Sequence, residues 1–185
     1  MIQIAFLRGI NVGGKNMIKM ADLKQVFIAM GFGQVQTYIQ SGNVLFEAVA
    51  AEKQLRQRLE QTLTDTFHLT VPVILRTAAE LEQIVANCPF AAEQIAQAET
   101  ASQVESLYLA LLERVPTPEA DALLNPYRSQ TDDYRIIGRE VFLLFHQSIR
   151  DSRLANQLAK LDVQMTIRNW KTIRKLLALA RDMQS

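Results

Sequence analysis

The segment VQTYIQSGNVLFEA, residues 35–48, decides the fold. Two β-prone apolar runs, VQTYI and VLFEA, flank the tetrapeptide QSGN at residues 40–43. Gly42 and Asn43 both tolerate positive φ, so this tetrapeptide predicts a tight turn. Two strands joined by a tight turn predict a β-hairpin, and the chain is therefore expected to pair its strands antiparallel at this point.

The elements on either side of the hairpin complete a familiar order. Residues 2–7 predict a strand, which is followed by a long polar loop and a helix from Met20 that ends at Gly31. After the hairpin, residues 52–67 predict a second helix. VPVIL then predicts a strand, and Pro72 near its start favours a sheet edge. The order β-α-β-β-α-β is that of a split βαβ or ferredoxin-like unit.

The second part of the chain predicts nearly the same order. Residues 78–103 are predicted to be helical, and their Gln/Ala/Glu-rich end predicts a boundary between halves. A strand (VESLYLALL), a short helix (TPEADALL), a hairpin (YRII and VFLLF), a helix over residues 151–161 and a last helix over residues 167–183 follow. We therefore predict an α+β fold of two tandem ferredoxin-like halves, residues 1–77 and 78–185, with mainly antiparallel sheets and an extra C-terminal helix.

Composition restricts the class of protein. The 185 residues are 49% apolar and 21% charged, which suits a globular protein with a packed core. The formal net charge of +1 gives no whole-protein field that would attract nucleic acid or a membrane. Cys88 is the single cysteine, so no internal disulfide can form and a cytoplasmic location is expected. The N-terminal segment does not have the pattern of a signal peptide, and no apolar run is long enough to span a bilayer.

A glycine-rich loop follows the first predicted strand. GINVGGKN, residues 9–16, satisfies the G-x-x-x-x-G-K part of the phosphate-cradling loop of nucleotide hydrolases. Asn16 stands where that loop needs a Ser or Thr hydroxyl for Mg²⁺, and no predicted strand ends in Asp. The predicted hairpins also do not give the parallel sheet of that fold. We therefore do not expect a nucleotide hydrolase.

The same loop is suited to holding an anion without a metal. The matching connection in the second half, ERVPTPE, has no glycine, so the topology alone does not require the three glycines. Exposed amides together with a lysine and two Asn side chains can form an anion-binding nest. The alternative, glycines that only permit positive φ in a structural turn, stays open. The candidate ligand-binding residues are Arg8, Gly9, Asn11, Gly13, Gly14, Lys15, Asn16, Ser41, Asn43 and Arg168.

A basic C-terminal segment is the second candidate feature. Residues 165–185 carry five cations and one carboxylate, a local charge of 5 − 1 = +4. Lys171 and Lys175 share a predicted helix face that either contacts phosphate groups or faces water, and we favour water. Arg168 is predicted at the start of this helix, where the dipole disfavours a cation, so it is expected to pair with a carboxylate or a bound anion.

Other chemistry has little support in the sequence. His68 and His146 are the only histidines, and neither lies at metal-ligand spacing, so we predict no metal site and no cofactor. Asp132 and Asp133 are adjacent, and in a strand they point to opposite sides, which excludes an acid–base pair. An RNA-binding sheet is less favoured because the third strand, GNVLFEA, lacks the aromatic spacing of RNA-recognition modules.

Three segments together resemble a bacterial protein family. They are FLRGINVGGKNMIKMADLKQVF, VQTYIQSGNVLF and MTIRNWKTIRKLL, and the family is the one catalogued as domain of unknown function 1697. The resemblance implies an α+β fold of two ferredoxin-like halves and assigns no reaction. Whether the turn at residues 40–43 reaches the loop at residues 9–16 depends on the path of that loop, and the sequence leaves this open.

The sequence leads to one functional hypothesis with alternatives. We expect a cytoplasmic protein that binds a negatively charged ligand, bearing phosphate or carboxylate, at residues 9–16. The alternatives are a metal-independent enzyme that acts on such a ligand by electrostatic stabilisation, a structural or protein-partner module, and a nucleic-acid binder. The identity of the ligand, any reaction and the oligomeric state do not follow from the sequence.

Overall fold

The computed structural model describes residues 1–102 and 104–185. Within these residues the chain forms eight strands and seven α-helices, and the strands build two four-stranded antiparallel sheets. The fold is therefore α+β, as the sequence predicts. No helix of the described part is both long enough and apolar enough to cross a bilayer.

The same order of elements occurs twice along the chain. The strands are β1 (Ile2–Leu7), β2 (Gly33–Tyr38), β3 (Asn43–Glu47), β4 (Val73–Thr77), β5 (Leu107–Leu112), β6 (Asp132–Ile137), β7 (Glu140–Phe145) and β8 (Met165–Asn169). The helices are α1 (Met20–Ala29), α2 (Glu52–Phe67), α3 (Ala78–Ala86), α4 (Ala92–Ser102), α5 (Glu119–Leu124), α6 (Arg153–Leu158) and α7 (Trp170–Asp182). Each half is a strand, a helix, a hairpin, a helix and a strand, with a further helix directly after the fourth strand.

The two sheets have equivalent strand orders. The first is β2-β3-β1-β4 and the second is β6-β7-β5-β8, with all neighbours antiparallel. The hairpin predicted from QSGN is present as β2 and β3, so this prediction is confirmed. β4 lies at a sheet edge, as Pro72 predicts, because a proline has no N–H group to donate to a neighbouring strand.

The chain divides into two compact units. The first unit comprises residues 1–83 and 174–185, and the second comprises residues 84–173. The boundaries of the units fall inside α3 and α7. The halves predicted from the sequence, residues 1–77 and 78–185, follow the repeat of element order and not compactness. That division stays a prediction.

The first unit buries one face of its sheet beneath α1 and α2. The predicted stripe of Leu55, Leu59 and Leu63 is fully covered, and α1 adds Leu23 and Phe27. These positions recur every three to four residues, which places them on one face of each helix. Burial of each such side chain stabilises the fold by about 1.5–3 kcal/mol, so this core accounts for the position of both helices on the sheet.

The second unit has an equivalent core on its own sheet. α5 contributes Ala120 and Leu124, and α6 contributes Leu154 and Leu158. Tyr134 of β6 lies in the same cluster with its ring covered. Each unit therefore has an apolar cluster of its own beneath its helices.

The structure corrects two helix predictions. Residues 165–169, of which the last three were predicted to be helical, form β8, which pairs with β5, and the helix begins only at Trp170. Hydrogen bonding to an open sheet edge outweighs the helical spacing there. The single helix predicted over residues 78–103 is instead α3 and α4, and residue 103 lies outside the described part. The C-terminal helix is therefore the counterpart of α3, and it is not an addition to the repeat.

An arginine stands in the equivalent place of both fourth strands. Arg76 and Arg168 are each the fourth residue of their strand, and both are buried. The Nη1 atom of Arg76 donates to the carbonyl of Leu75 at 2.7 Å, and that of Arg168 donates to the carbonyl of Ile167 at 2.9 Å. The repeat thus extends from the order of elements to an individual buried side chain and its hydrogen bond.

The residue after each of these arginines caps the following helix. The Thr77 hydroxyl accepts a hydrogen bond from the amide of Glu80 at 3.1 Å, and the Glu80 carboxylate accepts one from the Thr77 amide at 2.7 Å. Asn169 Oδ1 accepts from the amide of Thr172 at 2.8 Å. A polar cap satisfies amides that have no partner inside a helix, so both helices begin at the sheet edge.

A buried carboxylate ties β6 to α6 in the second unit. Ser152 donates to Asp132 Oδ2 at 2.6 Å and accepts from the amide of Ala155 at 3.0 Å. Gln147 donates to the other carboxylate oxygen at 2.9 Å. Asp132 and Ser152 are both buried, so each hydrogen bond replaces water that the site excludes.

Replacement of Ser152 by alanine is therefore expected to destabilise the protein by about 2–4 kcal/mol, because the helix cap is lost and a buried carboxylate oxygen loses its donor. Urea unfolding followed by circular dichroism measures the change. Ser148→Ala is the control: that hydroxyl accepts one long hydrogen bond from the amide of Arg150 at 3.3 Å, and its loss is expected to cost about 0.5 kcal/mol. Equal losses in the two variants would contradict this role of Ser152.

Candidate functional site

The glycine-rich loop folds over the turn of the first hairpin. The amide of Leu7, at the end of β1, donates to the carbonyl of Gly42 at 2.8 Å. The side chain of Asn11 donates to the carbonyl of Gln40 at 2.8 Å. The question that the sequence left open is thereby answered: the turn at residues 40–43 does reach the loop.

Asn11 connects three parts of this region. Its Oδ1 accepts from the amide of Ile18 at 2.8 Å, and its Nδ2 donates to the carbonyls of Ile18 at 2.9 Å and Gln40 at 2.8 Å. Its backbone has a positive φ of 54°, a conformation that asparagine tolerates better than most residues. One side chain therefore fixes both the loop's return to α1 and its position on the hairpin turn.

The tip of the loop is a tight turn over residues 12–15. The amide of Lys15 donates to the carbonyl of Val12 at 3.0 Å, and the two residues form an isolated antiparallel bridge. Gly13 and Gly14 both have positive φ, 58° and 74°, which identifies a type I′ turn. A Cβ atom at either position would meet nothing within 4 Å, so the backbone conformation alone selects glycine there.

The tip leaves donors exposed to solvent. Gly13, Gly14 and Lys15 are all exposed. Among residues 1–102 and 104–185, no group accepts a hydrogen bond from the amides of Gly13 and Gly14, and none pairs with the Lys15 ammonium. Three donors therefore stand together at a position that a ligand can reach.

The remaining loop residues hold the base together. Asn16 donates from its side chain to the carbonyl of Gly9 at 3.0 Å and accepts from the amide of Asn11 at 3.1 Å. Arg8 donates its amide to the carbonyl of Pro72 at 2.9 Å, while its side chain lies at the surface. The two bonds of Asn16 join the outgoing and returning segments of the loop, and the bond of Arg8 ties the start of the loop to the residue before β4.

Ser41 and Asn43 close the hairpin turn itself. Asn43 is fully buried, and its Nδ2 donates to the Ser41 hydroxyl at 3.0 Å and to the carbonyl of Tyr38 at 3.1 Å. Ile39 has a φ of 48°, which is rare for a β-branched residue, and its side chain is 48% exposed. Backbone strain of about 1–3 kcal/mol persists only where the surroundings impose it, and such positions cluster at functional sites.

Arg168 belongs to the second unit, whereas the glycine-rich loop belongs to the first. It lies in β8 of the second unit rather than at a helix start, and its side chain is buried. Its guanidinium donates to the hydroxyl of Thr166 at 2.7 Å and to the carbonyl of Ile167. Burial lowers the pKa of Arg168 to about 10, which still leaves it protonated at neutral pH. The predicted place of Arg168 at the start of the last helix was therefore wrong, because that helix begins at Trp170.

Sequence reasoning missed the residues that anchor the loop. Ile10 is buried in the core of the first unit, and a Cβ atom on Gly42 would lie 2.7 Å from its Cδ1 atom. Gln40 supplies a backbone carbonyl, which no side-chain pattern can reveal. The available signal was the presence of apolar residues in a polar loop, since such side chains can serve as anchors. Ile10 and Ile18 are buried, whereas Val12 and Met17 are exposed.

Replacement of Gly42 by alanine is expected to destabilise the protein by about 2–5 kcal/mol. A positive φ costs a residue with a Cβ atom about 1–2 kcal/mol, and the overlap with Ile10 and Leu7 adds about 1–3 kcal/mol. Gly138→Ala is the matched control, because its φ is also positive but its Cβ would make only an ordinary contact at 3.6 Å with Glu140. Urea unfolding should give a loss at least about 1 kcal/mol larger for Gly42→Ala, and equal losses would show that Ile10 does not hold the turn.

Comparison with known proteins places the chain in a family. Residues 1–142 match the family described as "Protein of unknown function (DUF1697)". The solved structure of the conserved bacterial protein SP0830 from Streptococcus pneumoniae is similar, with a TM-score of 0.76 and 24% identity over 97% of this chain and 98% of that chain. At this identity the likeness establishes the fold alone, and a search of curated proteins gave no match. Because the family match covers most of its length, this chain belongs to the DUF1697 family of proteins of unknown function.

Proposed function

We propose that this protein binds a small negatively charged ligand, bearing a phosphate or a carboxylate, at the turn of residues 12–15. The observation that carries the proposal is the exposed group of three donors: the amides of Gly13 and Gly14 and the Lys15 ammonium, none with a partner among the described residues. Successive backbone amides in a turn form a concave site that suits an anion, and a nearby ammonium adds a full charge.

The charge of the surrounding segments supports an anion. Residues 8–19 contain Arg8, Lys15 and Lys19 and no carboxylate, and residues 39–43 contain no charged side chain. Lys19 is also the N-cap of α1, and no side chain caps that helix end. An uncapped helix N-terminus carries a partial positive charge, so it adds to the field of the three cations.

The braced base of the loop supports binding at low entropic cost. Asn11 and Asn16 cross-link the two limbs of the loop through side-chain hydrogen bonds. A ligand that meets a loop already held in place does not have to order it, and less of the interaction energy is lost. All of these bonds lie within the protein, which is what a preformed site requires.

We further propose that each half is a ferredoxin-like unit and that the protein is cytoplasmic. The order β2-β3-β1-β4 and its repeat support the interpretation of each half as a ferredoxin-like unit. A single cysteine supports a cytoplasmic location. A metal-independent enzyme, a protein-partner module and a nucleic-acid binder are the competing functions, and the binding experiment distinguishes the last two from a small-anion site.

Thermal unfolding with inorganic phosphate, pyrophosphate, citrate and a single-stranded oligonucleotide tests the proposal. A small anion at a hundredfold over its dissociation constant should raise the free energy of unfolding by about 2.7 kcal/mol. Lys15→Gln is expected to weaken that binding about tenfold, because a charge-assisted contact of about 1.4 kcal/mol is lost. Lys53→Gln, an exposed lysine on α2 of the same unit, is the matched control and should bind normally.

Two results would contradict the proposal. One is the absence of a response to any of the small anions, which would favour a partner module. The other is an equal response in the Lys15→Gln and Lys53→Gln variants, which would move the site away from the loop. If the small anions give no response but the oligonucleotide does, a nucleic-acid binder is favoured instead of a partner module.

A further inference from the structure

The second unit contains a cavity beside the connection that is equivalent to the glycine-rich loop. This cavity of about 450 Å³ lies between residues 115–118, which lead from β5 to α5, and strand β6. The charged side chains that line it are Asp121, Arg128 and Arg135. Its volume is in the range of pockets that hold small organic ligands.

Two arginines of the cavity lining have their guanidinium groups held in fixed positions. Arg128 Nε and Arg135 Nη1 each lie 2.7 Å from the same oxygen of Asp133. Both arginines also donate to the carbonyl of Tyr134, at 3.0 Å and 2.7 Å. Arg128 stacks on the Tyr134 ring at 4.9 Å, and Arg135 lies over the Phe90 ring at 5.4 Å. The ordering of two long side chains is thus achieved before any ligand arrives.

This arrangement leaves positive charge uncompensated. Two guanidinium cations share one carboxylate, that of Asp133, so the group carries a net charge of +1 (2 − 1). A guanidinium has five N–H donors, and the bonds to Asp133 and Tyr134 engage two on each arginine. No other described residue accepts from Arg128 or Arg135, and each side chain is 42% exposed. Donors therefore remain for an anion that enters from the solvent.

The lining of the cavity also carries an acceptor, Asp121. Asp121 accepts a hydrogen bond from the Tyr134 hydroxyl at 2.7 Å, and the Tyr134 side chain is only 1% exposed. Burial, followed by the hydrogen bond to Asp121, raises the pKa of Tyr134 to about 12, so the hydroxyl keeps its proton at neutral pH. The second oxygen of Asp121 has no donor among the described residues. The lining of the cavity therefore carries two guanidinium cations and a carboxylate with an open acceptor.

We propose that this cavity binds a small hydroxylated anion of the sugar phosphate class. The phosphate would accept from Arg128 and Arg135, for which planar guanidinium donors are well suited. Hydroxyl groups would donate to Asp121. A bare anion gives the second oxygen of Asp121 no donor and is repelled by its charge, whereas the hydroxyl groups of a hydroxylated anion can donate to that oxygen. This site is separate from the loop proposed above and does not rest on it.

Isothermal titration calorimetry with glucose 6-phosphate, inorganic phosphate and glucose tests the site. The intact protein is expected to bind glucose 6-phosphate at least tenfold more tightly than inorganic phosphate, and glucose at least tenfold more weakly than glucose 6-phosphate. Arg128→Gln should lower the affinity for both phosphates at least tenfold. The control is Arg153→Gln, an exposed arginine of the same unit outside the cavity, which should bind both normally.

Asp121→Asn gives a second test that leaves both guanidinium groups in place, so it remains informative if Arg128→Gln fails to fold. It should weaken glucose 6-phosphate about tenfold, and it should strengthen inorganic phosphate because a repulsive charge is removed. No binding of glucose 6-phosphate, or an unchanged preference in Asp121→Asn, would overturn the proposal. Lys15→Gln should have no effect on this titration, and loss of binding in that variant would assign the ligand to the glycine-rich loop instead.

Discussion

The pairing of β1 on both sides is the constraint on which the loop depends. Its neighbours β3 and β4 take up both edges of the strand, so the chain leaving β1 cannot continue along the sheet and must pass out of its plane. The last two bonds are those of Leu7 and Arg8, whose amides donate to the carbonyls of Gly42 and Pro72. The loop therefore starts at a fixed point over the hairpin turn, and Gly42 leaves the space that Ile10 occupies.

The backbone conformation of the loop explains why the nucleotide-hydrolase pattern was misleading. Gly9, Gly13 and Gly14 all have positive φ, and a Cβ atom at any of them would meet nothing within 4 Å. Glycine is needed there for its backbone freedom and not because another group comes close. The helix α1 also begins only at Met20, four residues beyond Asn16, so the Gly-Lys pair does not open a helix. The match to G-x-x-x-x-G-K therefore reflects the glycines that the turn requires. The hypothesis of an anion site depends on the exposed donors and not on this motif.

Local signals predicted much of the fold, and they failed where two signals competed. The turn residues Gly42 and Asn43 predicted the first hairpin, and Pro72 predicted an edge strand, because each acts through its own backbone. The spacing of Ile173 and Leu177 is helical, but the predicted helix began at residue 167, which lies in β8. Asn169 followed by Thr172 was the missed signal, since a polar residue whose side chain can accept from the amide three positions later marks a helix start.

The middle of the chain gave a second example of a signal that was available. Thr77 and Glu80 form a capping box, which marks the start of α3 in the sequence itself. Pro89 restricts the residue before it to extended conformations, so the helix predicted over residues 78–103 had to be interrupted. The loop at residues 9–16 is different, because the carbonyl of Gln40 that receives the Asn11 side chain comes from a distant element. Such a bond depends on the assembled sheet and leaves no local pattern.

The repeat shows which part of each unit is free to vary. In the second unit β5 is also paired on both sides, and the amides of Leu112 and Glu113 donate to the carbonyls of Arg139 and Gln164. These acceptors stand directly before β7 and β8, as Gly42 and Pro72 stand directly before β3 and β4. These two backbone hydrogen bonds form a frame at the end of the first strand, and this frame is the same in both units.

The residues that emerge from that frame differ, and so does the chemistry they present. The first unit needs glycine at position 42, because the Ile10 side chain packs against the turn there. The second unit has Arg139 at the equivalent position. Pro116 and Pro118 fix φ in the second connection, which lies beside a cavity lined by guanidinium groups instead of forming an exposed turn of amides. The frame is made by backbone hydrogen bonds, whereas the side chains of the two connections differ. Such a position suits a binding site.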